Sequence, residues 1–382
     1  MKLHFTAAEA SGDLLARETM EAIRGRVPEA KFVGIGGLEM AKLGIVSPID
    51  ITPLSIVGLF DGLKVYGTVL ELADAAADHI IDAMPDAAVL VDSWGFCVRV
   101  GERVKARAPD IRLVKLAGPQ IWASRPGRAR ILAKTFDQVL CIHAMELPFY
   151  EGLEIEASTI GVPAFSRGKP GDKAAFLSRT GLSPDKPLLL VLPGSRGSEL
   201  RRVTPALMET ARLTQAGSPD LQVVVMPAES IWDSFQAQYP DAERNMTVLA
   251  PGSPGNDAMA AADYALACSG TVTSELALQG TPMLVAYKLG WMTWAVAKYF
   301  LYQHKHITLM NIAAGDRTIV PEFIQMAMRP EDMAATAISM IRDPNACKTQ
   351  VEAQFAALEA MGHGERPAPQ RAADAILGSL EA

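Results

Sequence analysis

The chain has 382 residues, of which 49% are hydrophobic and 21% are charged, so it is long enough for two domains with buried cores. Its formal net charge of −7 excludes a non-specific nucleic-acid binder, which needs a basic face to displace counterions from phosphates. The four cysteines are scattered without a CxxC pair, which indicates free thiols in a reducing compartment and predicts no metal site.

The amino terminus, MKLHFTAAEA, is too short and too interrupted for a signal peptide, and no apolar run reaches about 18 residues. We therefore expect a cytoplasmic protein whose membrane contact is peripheral. The six histidines are mostly isolated, so neither a metal ion nor another cofactor is expected.

Apolar runs rich in β-branched residues alternate with helical patterns in the first half of the chain, which predicts a parallel sheet with right-handed crossovers. The predicted strands cover residues 3–8, 31–35, 87–92, 112–116, 138–142 and 158–160. The predicted helices cover residues 14–26, 63–83, 98–108 and 128–135.

A segment rich in proline, glycine and charges, residues 165–186, predicts a connection between two domains. A second series of strands follows, and no strand is predicted after about residue 320. The predicted strands of this series cover residues 188–192, 221–226, 246–249, 264–267 and 283–286.

The sequence thus predicts two doubly wound, Rossmann-like α/β lobes with a cleft between them. The lobes cover residues 1–165 and 187–330, and helices over 331–382 are expected to pack back across both. In open α/β sheets, ligands bind outside the carboxyl ends of the strands. The residues that follow each strand are therefore the candidates for chemistry.

The strongest local pattern is residues 193–199, PGSRGSE, between an apolar strand and a helix. Gly194 lets the backbone approach a ligand, Ser195 lies at the helix start with its free N–H groups, and Arg196 offers a forked cation for a diphosphate. An ordinary strand–helix turn is the alternative. Neither a Walker motif nor a GxGxxG fingerprint occurs, which disfavours kinases and dehydrogenases.

A second strand–helix junction, residues 268–275, reads CSGTVTSE. Ser269, Gly270 and Thr271 could hold another phosphate, and Glu275 could accept hydrogen bonds from a ribose diol. The alternative is that Glu275 is only a first-turn residue favoured by the helix dipole. Two such junctions in one lobe favour a nucleotide diphosphate as ligand.

Three carboxylates follow strands of the first lobe. Residues 11–12 predict a tight turn with Asp13 as the cap of the next helix, and Glu9 is the more exposed group. Asp92 ends a strand and is a candidate base, although such aspartates often bond only the next turn.

An apolar segment after the second strand is either an interior strand or an exposed patch that meets lipid. The residues alone favour the interior strand. The segment contributes Leu54, Ile56, Val57, Leu59, Phe60 and Leu63.

Together these motifs resemble the bacterial lipid-A-disaccharide synthase family over nearly the whole chain. Residues 8–13 resemble its AGExSGD turn, residues 193–199 match its PGSRxxE signature, and residues 269–275 match SGTxxxE. Residues 121–123 resemble its VWAW loop, and 309–311 its LPN segment with Met310 in place of proline.

The resemblance implies a GT-B glycosyltransferase that moves 2,3-diacylglucosamine from UDP to lipid X, with inversion and without a metal ion. It implies that Ser195, Arg196 and Glu275 hold UDP and that Asn311 lies near the diphosphate, supplied in some members by a swapped partner subunit of a homodimer. It also implies that the segment 54–63 docks on the cytoplasmic face of the inner membrane.

The sequence departs from the family where its proposed catalytic base lies. The family carries DxPDF after this strand, whereas residues 92–96 read DSWGF and place Gly95 at the second aspartate. An inverting transfer needs a base near the attacking hydroxyl, and Asp92, Glu9 and Asp13 are the substitutes by motif. Alternatives are a paralogue with another lipid acceptor, a non-catalytic nucleotide-sugar-binding protein and a UDP-sugar epimerase.

Overall fold

A computed structural model of the chain describes residues 1–51, 62–122, 125–270, 272–290 and 305–381, with the side chains of 62–66 excepted. The described residues divide into two compact units. The first combines Met1–Ser166 with Gly362–Ala382, and the second is Arg167–Met361. This division differs from the predicted grouping, because the helices beyond residue 330 do not form a set of their own.

The first unit is built on a sheet of six parallel strands in the order β2-β1-β3-β4-β5-β6. Strand β3 is buried at every position, as expected for a parallel strand covered on both faces. The strands are β1 (Lys2–Ala7), β2 (Lys31–Ile35), β3 (Ala87–Val91), β4 (Arg112–Leu116), β5 (Gln138–Cys141) and β6 (Glu156–Thr159).

Helices cover both faces of this sheet, and the sheet lies between two hydrophobic clusters. The last helix of the chain belongs here because Ala372 and Ile376 are fully buried in the cluster that contains the first helix. The helices are α1 (Ala10–Arg24), α2 (Leu38–Ala41), α3 (Gly62–Ala83), α4 (Trp94–Arg107), α5 (Arg128–Thr135) and, at the carboxyl end of the chain, α15 (Ala368–Glu381).

The second unit also has six parallel strands, in the order β12-β11-β10-β7-β8-β9. The prediction of no strand after residue 320 was wrong, because β12 pairs with β11 at the sheet edge. β12 has three half-buried residues, too few to give a recognisable pattern. The strands are β7 (Leu188–Leu192), β8 (Gln222–Val225), β9 (Thr247–Val248), β10 (Tyr264–Cys268), β11 (Met283–Tyr287) and β12 (Glu322–Ile324).

The predicted connection 165–186 contains a helix, α6 (Lys173–Thr180). Asp172 caps its start by accepting the N–H of Ala175 at 2.9 Å, and Gly181 ends it with φ +69°. The remaining described helices of this unit are α7 (Gly197–Arg202), α8 (Thr204–Gly217), α9 (Trp232–Gln238), α10 (Gly255–Ala261), α11 (Val272–Leu278), α12 (Leu309–Ala313), α13 (Pro330–Arg342) and α14 (Pro344–Ala360).

A histidine pair lies inside the first unit. His4 on β1 is fully buried, and its Nε2 lies 2.8 Å from Nδ1 of His79 on α3. Burial, followed by the neighbouring charges of His79 and Lys2, lowers the pKa of His4 to about 3. The folded protein therefore holds His4 in its neutral form.

Across the described helices, none is long and apolar enough to cross a membrane.

Neutral His4 makes the fold sensitive to acid. A histidine with a lowered pKa stabilises the fold above its unfolded pKa of about 6.5, and this stability is lost as the pH falls toward 3. Between pH 7 and pH 5 we expect wild type to lose about 2 kcal/mol more than His4→Gln. Urea denaturation at both pH values measures this difference, and equal losses in the two proteins would contradict it.

Candidate functional site

A cavity of about 430 Å³ opens in the second unit at the carboxyl ends of four adjacent strands, β10, β7, β8 and β9. This volume lies in the range of small-molecule sites, and the position is the one at which open α/β sheets bind ligands. The lining comes from residues 192, 194–196, 199, 226–229, 250–253, 259, 268–270, 272 and 275.

The loop after β7 forms one wall of the cavity and is held by Glu199. The buried Glu199 carboxylate accepts the N–H groups of Ser195 at 2.8 Å and Arg196 at 3.2 Å, and the Arg196 guanidinium at 3.1 Å. Gly194 has φ +108°, and a Cβ there would lie 2.5 Å from Glu199 Oε2. The loop therefore requires glycine at 194 and, at 199, a carboxylate that accepts these three hydrogen bonds.

This arrangement corrects one expectation from the sequence. The N–H groups of Ser195 and Arg196 are not free for an anion, because Glu199 accepts both. The Arg196 guanidinium is available at this wall, because its side chain is 72% exposed. An anion would thus be bound here by a charged side chain.

The loop after β10, the strand next to β7, forms another part of the cavity wall. Ser269 donates its N–H to the Ala286 carbonyl at 3.2 Å, which fixes the loop on the neighbouring strand. A Cβ at Gly270 would meet no described atom within 4 Å, so this backbone borders open space. Glu275 lies in the first turn of α11 and lines the cavity, and burial raises the pKa of its carboxyl.

Six of the eight residues predicted to bind UDP thus line one cavity, namely Gly194, Ser195, Arg196, Ser269, Gly270 and Glu275. Thr271 lies outside the described residues.

Asn311 has a different environment from the one predicted. Its amide is fully buried, donates to the Val320 carbonyl at 2.8 Å and accepts the N–H groups of Ile319 and Val320, each at 2.8 Å. Asn311 is not among the described residues that line the cavity. These bonds give Asn311 the role of holding the loop between α12 and β12.

Several lining residues were not predicted individually. Glu199 belongs to the PGSRGSE motif but was not singled out, and the segments 226–229 and 250–253 carry no motif. Each of these segments follows a predicted strand, so the rule that ligands bind at carboxyl strand ends was the available signal.

In the first unit, Glu9 and Asp92 follow the adjacent strands β1 and β3. Asp92 and Ser93 have φ values of +52° and +34°, and the Ser11 hydroxyl donates to the Asp92 carboxylate at 3.5 Å. Burial, and then the charge of Asp92, raise the pKa of Glu9, whereas a hydrogen bond from Ser93 and the charge of Lys115 lower it. The two carboxylates therefore share one electrostatic environment.

Asp13 does not belong to this pair. It is 3% exposed, and its carboxylate accepts the N–H groups of Gly37 at 2.8 Å, Glu39 at 2.7 Å and Met40 at 3.3 Å. It therefore caps α2 rather than α1. Since α1 begins at Ala10, the predicted tight turn at 11–12 is helical. With its oxygens occupied by backbone donors, Asp13 is a structural residue in this fold.

Gly95 lies in the first turn of α4, shortly after Asp92 in the chain. A Cβ built there would meet only Arg99 Nη1, at 3.8 Å, among the described atoms. Trp94 is covered by the Arg128 guanidinium, 4.5 Å from its ring centroid. The position thus has room for a side chain even though the sequence has none.

The predicted lipid-docking residues are outside the structural description. Only the backbone of Leu63 is described, and the other five lie outside the described residues, namely Leu54, Ile56, Val57, Leu59 and Phe60. Their role remains a prediction.

The two units, each a parallel six-stranded sheet with a doubly wound strand order, define the GT-B fold of glycosyltransferases and related epimerases. A UDP complex of MnaA from S. aureus aligns with a TM-score of 0.62 at 10% identity, covering 100% of this chain and 96% of that one. The spinosyn rhamnosyltransferase SpnG aligns with a TM-score of 0.55 at 11% identity, covering 100% of both chains.

Sequence comparison gives the family. The family profile described as lipid-A-disaccharide synthetase matches residues 3–376. The lipid-A-disaccharide synthase of Paramagnetospirillum magneticum is 36% identical over 381 residues, covering 99% of this chain and 97% of the relative. That of Rhodospirillum centenum is 33% identical over 376 residues, covering 98% and 93%. The chain belongs to the lipid-A-disaccharide synthase family, a group of hexosyltransferases of lipid A biosynthesis.

The geometry of the β7 loop predicts opposite effects at two glycines. Gly194→Ala combines a left-handed backbone with a clash against Glu199, and we expect a loss of about 1–3 kcal/mol in unfolding free energy. Gly197→Ala is the matched control, because a Cβ there meets Arg201 at 3.5 Å within a helix; alanine should be neutral or stabilising by up to about 1 kcal/mol. Urea denaturation of both variants measures this, and equal stabilities would refute the strained-loop account.

Proposed function

We propose that this protein transfers 2,3-diacylglucosamine from UDP to lipid X, with inversion, and releases lipid A disaccharide 1-phosphate and UDP. The observation that carries the proposal is the cavity at four strand ends, lined by six residues that the sequence predicts to bind UDP. The names of the family relatives support the reaction. The UDP complex of MnaA supports a nucleotide in this fold.

The lining residues divide into groups suited to the parts of a nucleotide diphosphate. Arg196 supplies a forked cation for diphosphate oxygens. Glu275 is an acceptor for ribose hydroxyls, and Met226 and Met259 give adaptable apolar contacts. Glu199 acts indirectly, since it holds the loop that carries Arg196.

The chemistry requires one proton acceptor. A hydroxyl of lipid X attacks the anomeric carbon of the donor, the bond from that carbon to the diphosphate oxygen breaks, and UDP leaves with the bonding electrons. The hydroxyl proton passes to a general base. We assign this role to the Glu9–Asp92 pair, because Gly95 has no group that can accept a proton. The raised pKa of Glu9 makes it a stronger base than an ordinary glutamate.

Peripheral association with the cytoplasmic face of the inner membrane, through the segment 54–63, is part of this proposal. Both the diacylated donor and lipid X carry acyl chains, so an apolar surface on the unit that holds the Glu9–Asp92 pair suits them. A homodimer is compatible with the proposal but is not required by it.

UDP binding tests the donor site. Isothermal titration calorimetry with UDP is expected to show binding to wild type and at least about tenfold weaker binding to Arg196→Ala and Glu275→Ala, because each variant removes a charged hydrogen-bonding partner. Arg212→Ala is the matched control, since Arg212 pairs with Glu209 on α8 and is not a lining residue. Absence of UDP binding, or equal affinity in all four proteins, would exclude a nucleotide-sugar site.

Product formation tests the reaction and its base. Incubation with UDP-2,3-diacylglucosamine and lipid X should yield UDP and disaccharide in equal amounts, measured by a coupled UDP assay and mass spectrometry. Glu9→Gln or Asp92→Asn should lower kcat by about 10²–10⁴-fold without weakening UDP binding, as expected for loss of a general base.

Adding Gly95→Asp to the more impaired variant should restore part of kcat, because the position has room for the side chain. Losses below tenfold in both single variants would refute the assignment of the base. UDP release without disaccharide would indicate a different acceptor, and UDP binding without release would indicate a non-catalytic binder.

A further inference from the structure

Lys115, on β4, has an unusual environment for a lysine. It is 1% exposed and lies in register with Leu90 on β3, inside a sheet covered on both faces. Its Nζ donates to the carbonyl oxygens of Asp92 at 2.6 Å, Ala117 at 3.0 Å, Leu116 at 3.2 Å and Leu90 at 3.4 Å. Burying an ammonium group is costly unless hydrogen bonds and opposite charges offset the loss of water.

The carbonyls that Lys115 holds belong to strained turns. Asp92 and Ser93 after β3, and Ala117 after β4, all have positive φ, at +52°, +34° and +59°. Such conformations are unfavourable in residues other than glycine and persist only where the surroundings enforce them. Lys115 bonds both turns at once, so it fixes the backbone from which the Asp92 side chain projects.

The charges around Lys115 come from several elements. Burial lowers the pKa of Lys115, and the thiol of Cys97 on α4, Asp92, Glu9 and the thiol of Cys141 on β5 raise it to a smaller extent. Burial raises the pKa of Cys97 to about 11 and that of Glu146 to about 8; the pKa of Cys141 is raised as well. At neutral pH the thiols and Glu146 are therefore mainly neutral, which leaves Glu9 and Asp92 as the acidic groups whose charge acts on Lys115.

We propose that Lys115 is a positioning residue for the Glu9–Asp92 pair, because its buried ammonium fixes the two strand-end turns and balances the charge of both carboxylates. This inference rests on the proposed function in one respect, namely that the pair accepts the proton of the attacking hydroxyl. An apolar side chain such as that of Leu113, two residues earlier on the same strand face, would fill this position without the cost of burying a charge. The lysine is thus explained by the two turns that it bonds and by the acidic groups whose charge acts on it.

Removing the positive charge should raise the pKa of Glu9, because an anion beside Asp92 then lacks its counter-charge. In Lys115→Gln and Lys115→Met we expect kcat to fall at least about tenfold and the acidic limb of the kcat–pH profile to move up by about one pH unit. The KM for the UDP-linked donor and UDP affinity should stay within twofold of wild type, since the cavity belongs to the other unit.

Lys105→Gln is the control for loss of a lysine charge in the same unit. Lys105 pairs with Asp137 at 2.8 Å, and Asp137 precedes β5 at the amino-terminal edge of the sheet. Its kcat–pH profile should overlay that of wild type. Profiles of folded Lys115 variants that also overlay wild type would overturn the proposal.

A measurement that keeps Lys115 in place covers the case in which these variants do not fold. With ¹³Cε- and ¹⁵Nζ-labelled lysine, the Lys115 signal should show a charged ammonium through pH 6–8 and a titration step that is absent in Glu9→Gln. Glu146→Gln identifies any step that comes from Glu146. A neutral Lys115, or no step lost in Glu9→Gln, would overturn the proposal. Because this readout needs no lipid transfer, its failure is distinguishable from failure of the proposed reaction.

Discussion

Parallel pairing is the constraint on which both units depend. Every strand pair described in the two sheets is parallel, and helices cover both faces, so the strand interiors leave little place for polar side chains. All strands of a sheet end at the same edge, and the polar groups collect there. The cavity of the second unit and the Glu9–Asp92 pair of the first are two results of this one arrangement.

At these edges, the polar residues of a motif divide into two kinds. Asp13, Glu199 and Asn311 are buried and use their oxygens to accept backbone N–H groups of nearby loops. Arg196 and Glu275 line the cavity with exposed side chains, whereas Glu199 lines it with a buried one. A family motif therefore contains two kinds of residue. Some fix the conformation of a loop and are buried, and others are exposed and available to a ligand. Lys115 belongs to the first kind, although no motif includes it.

Much of the fold could be predicted from the sequence because buried parallel strands are continuous apolar runs. The bounds of β2, β4 and β7 agree with those predicted. β12 was missed because three half-buried residues at a sheet edge give no pattern. The cavity residues of the two glycine-rich loops followed from local motifs, whereas the role of Asp13 depends on backbone donors 24 to 27 residues away. Contacts at that distance have no local signal in one sequence.

The hold of Glu199 on the β7 loop has a consequence for the thermodynamics of binding. Immobilising a flexible side chain costs a ligand about 0.5–1.5 kcal/mol of its affinity, and ordering a loop costs more. Here a carboxylate of the protein itself fixes two amides and a guanidinium, so that cost is met during folding. Because this wall is already ordered before the ligand binds, most of the conformational entropy lost on binding here is that of the ligand. Ordering of the protein therefore reduces the affinity only slightly.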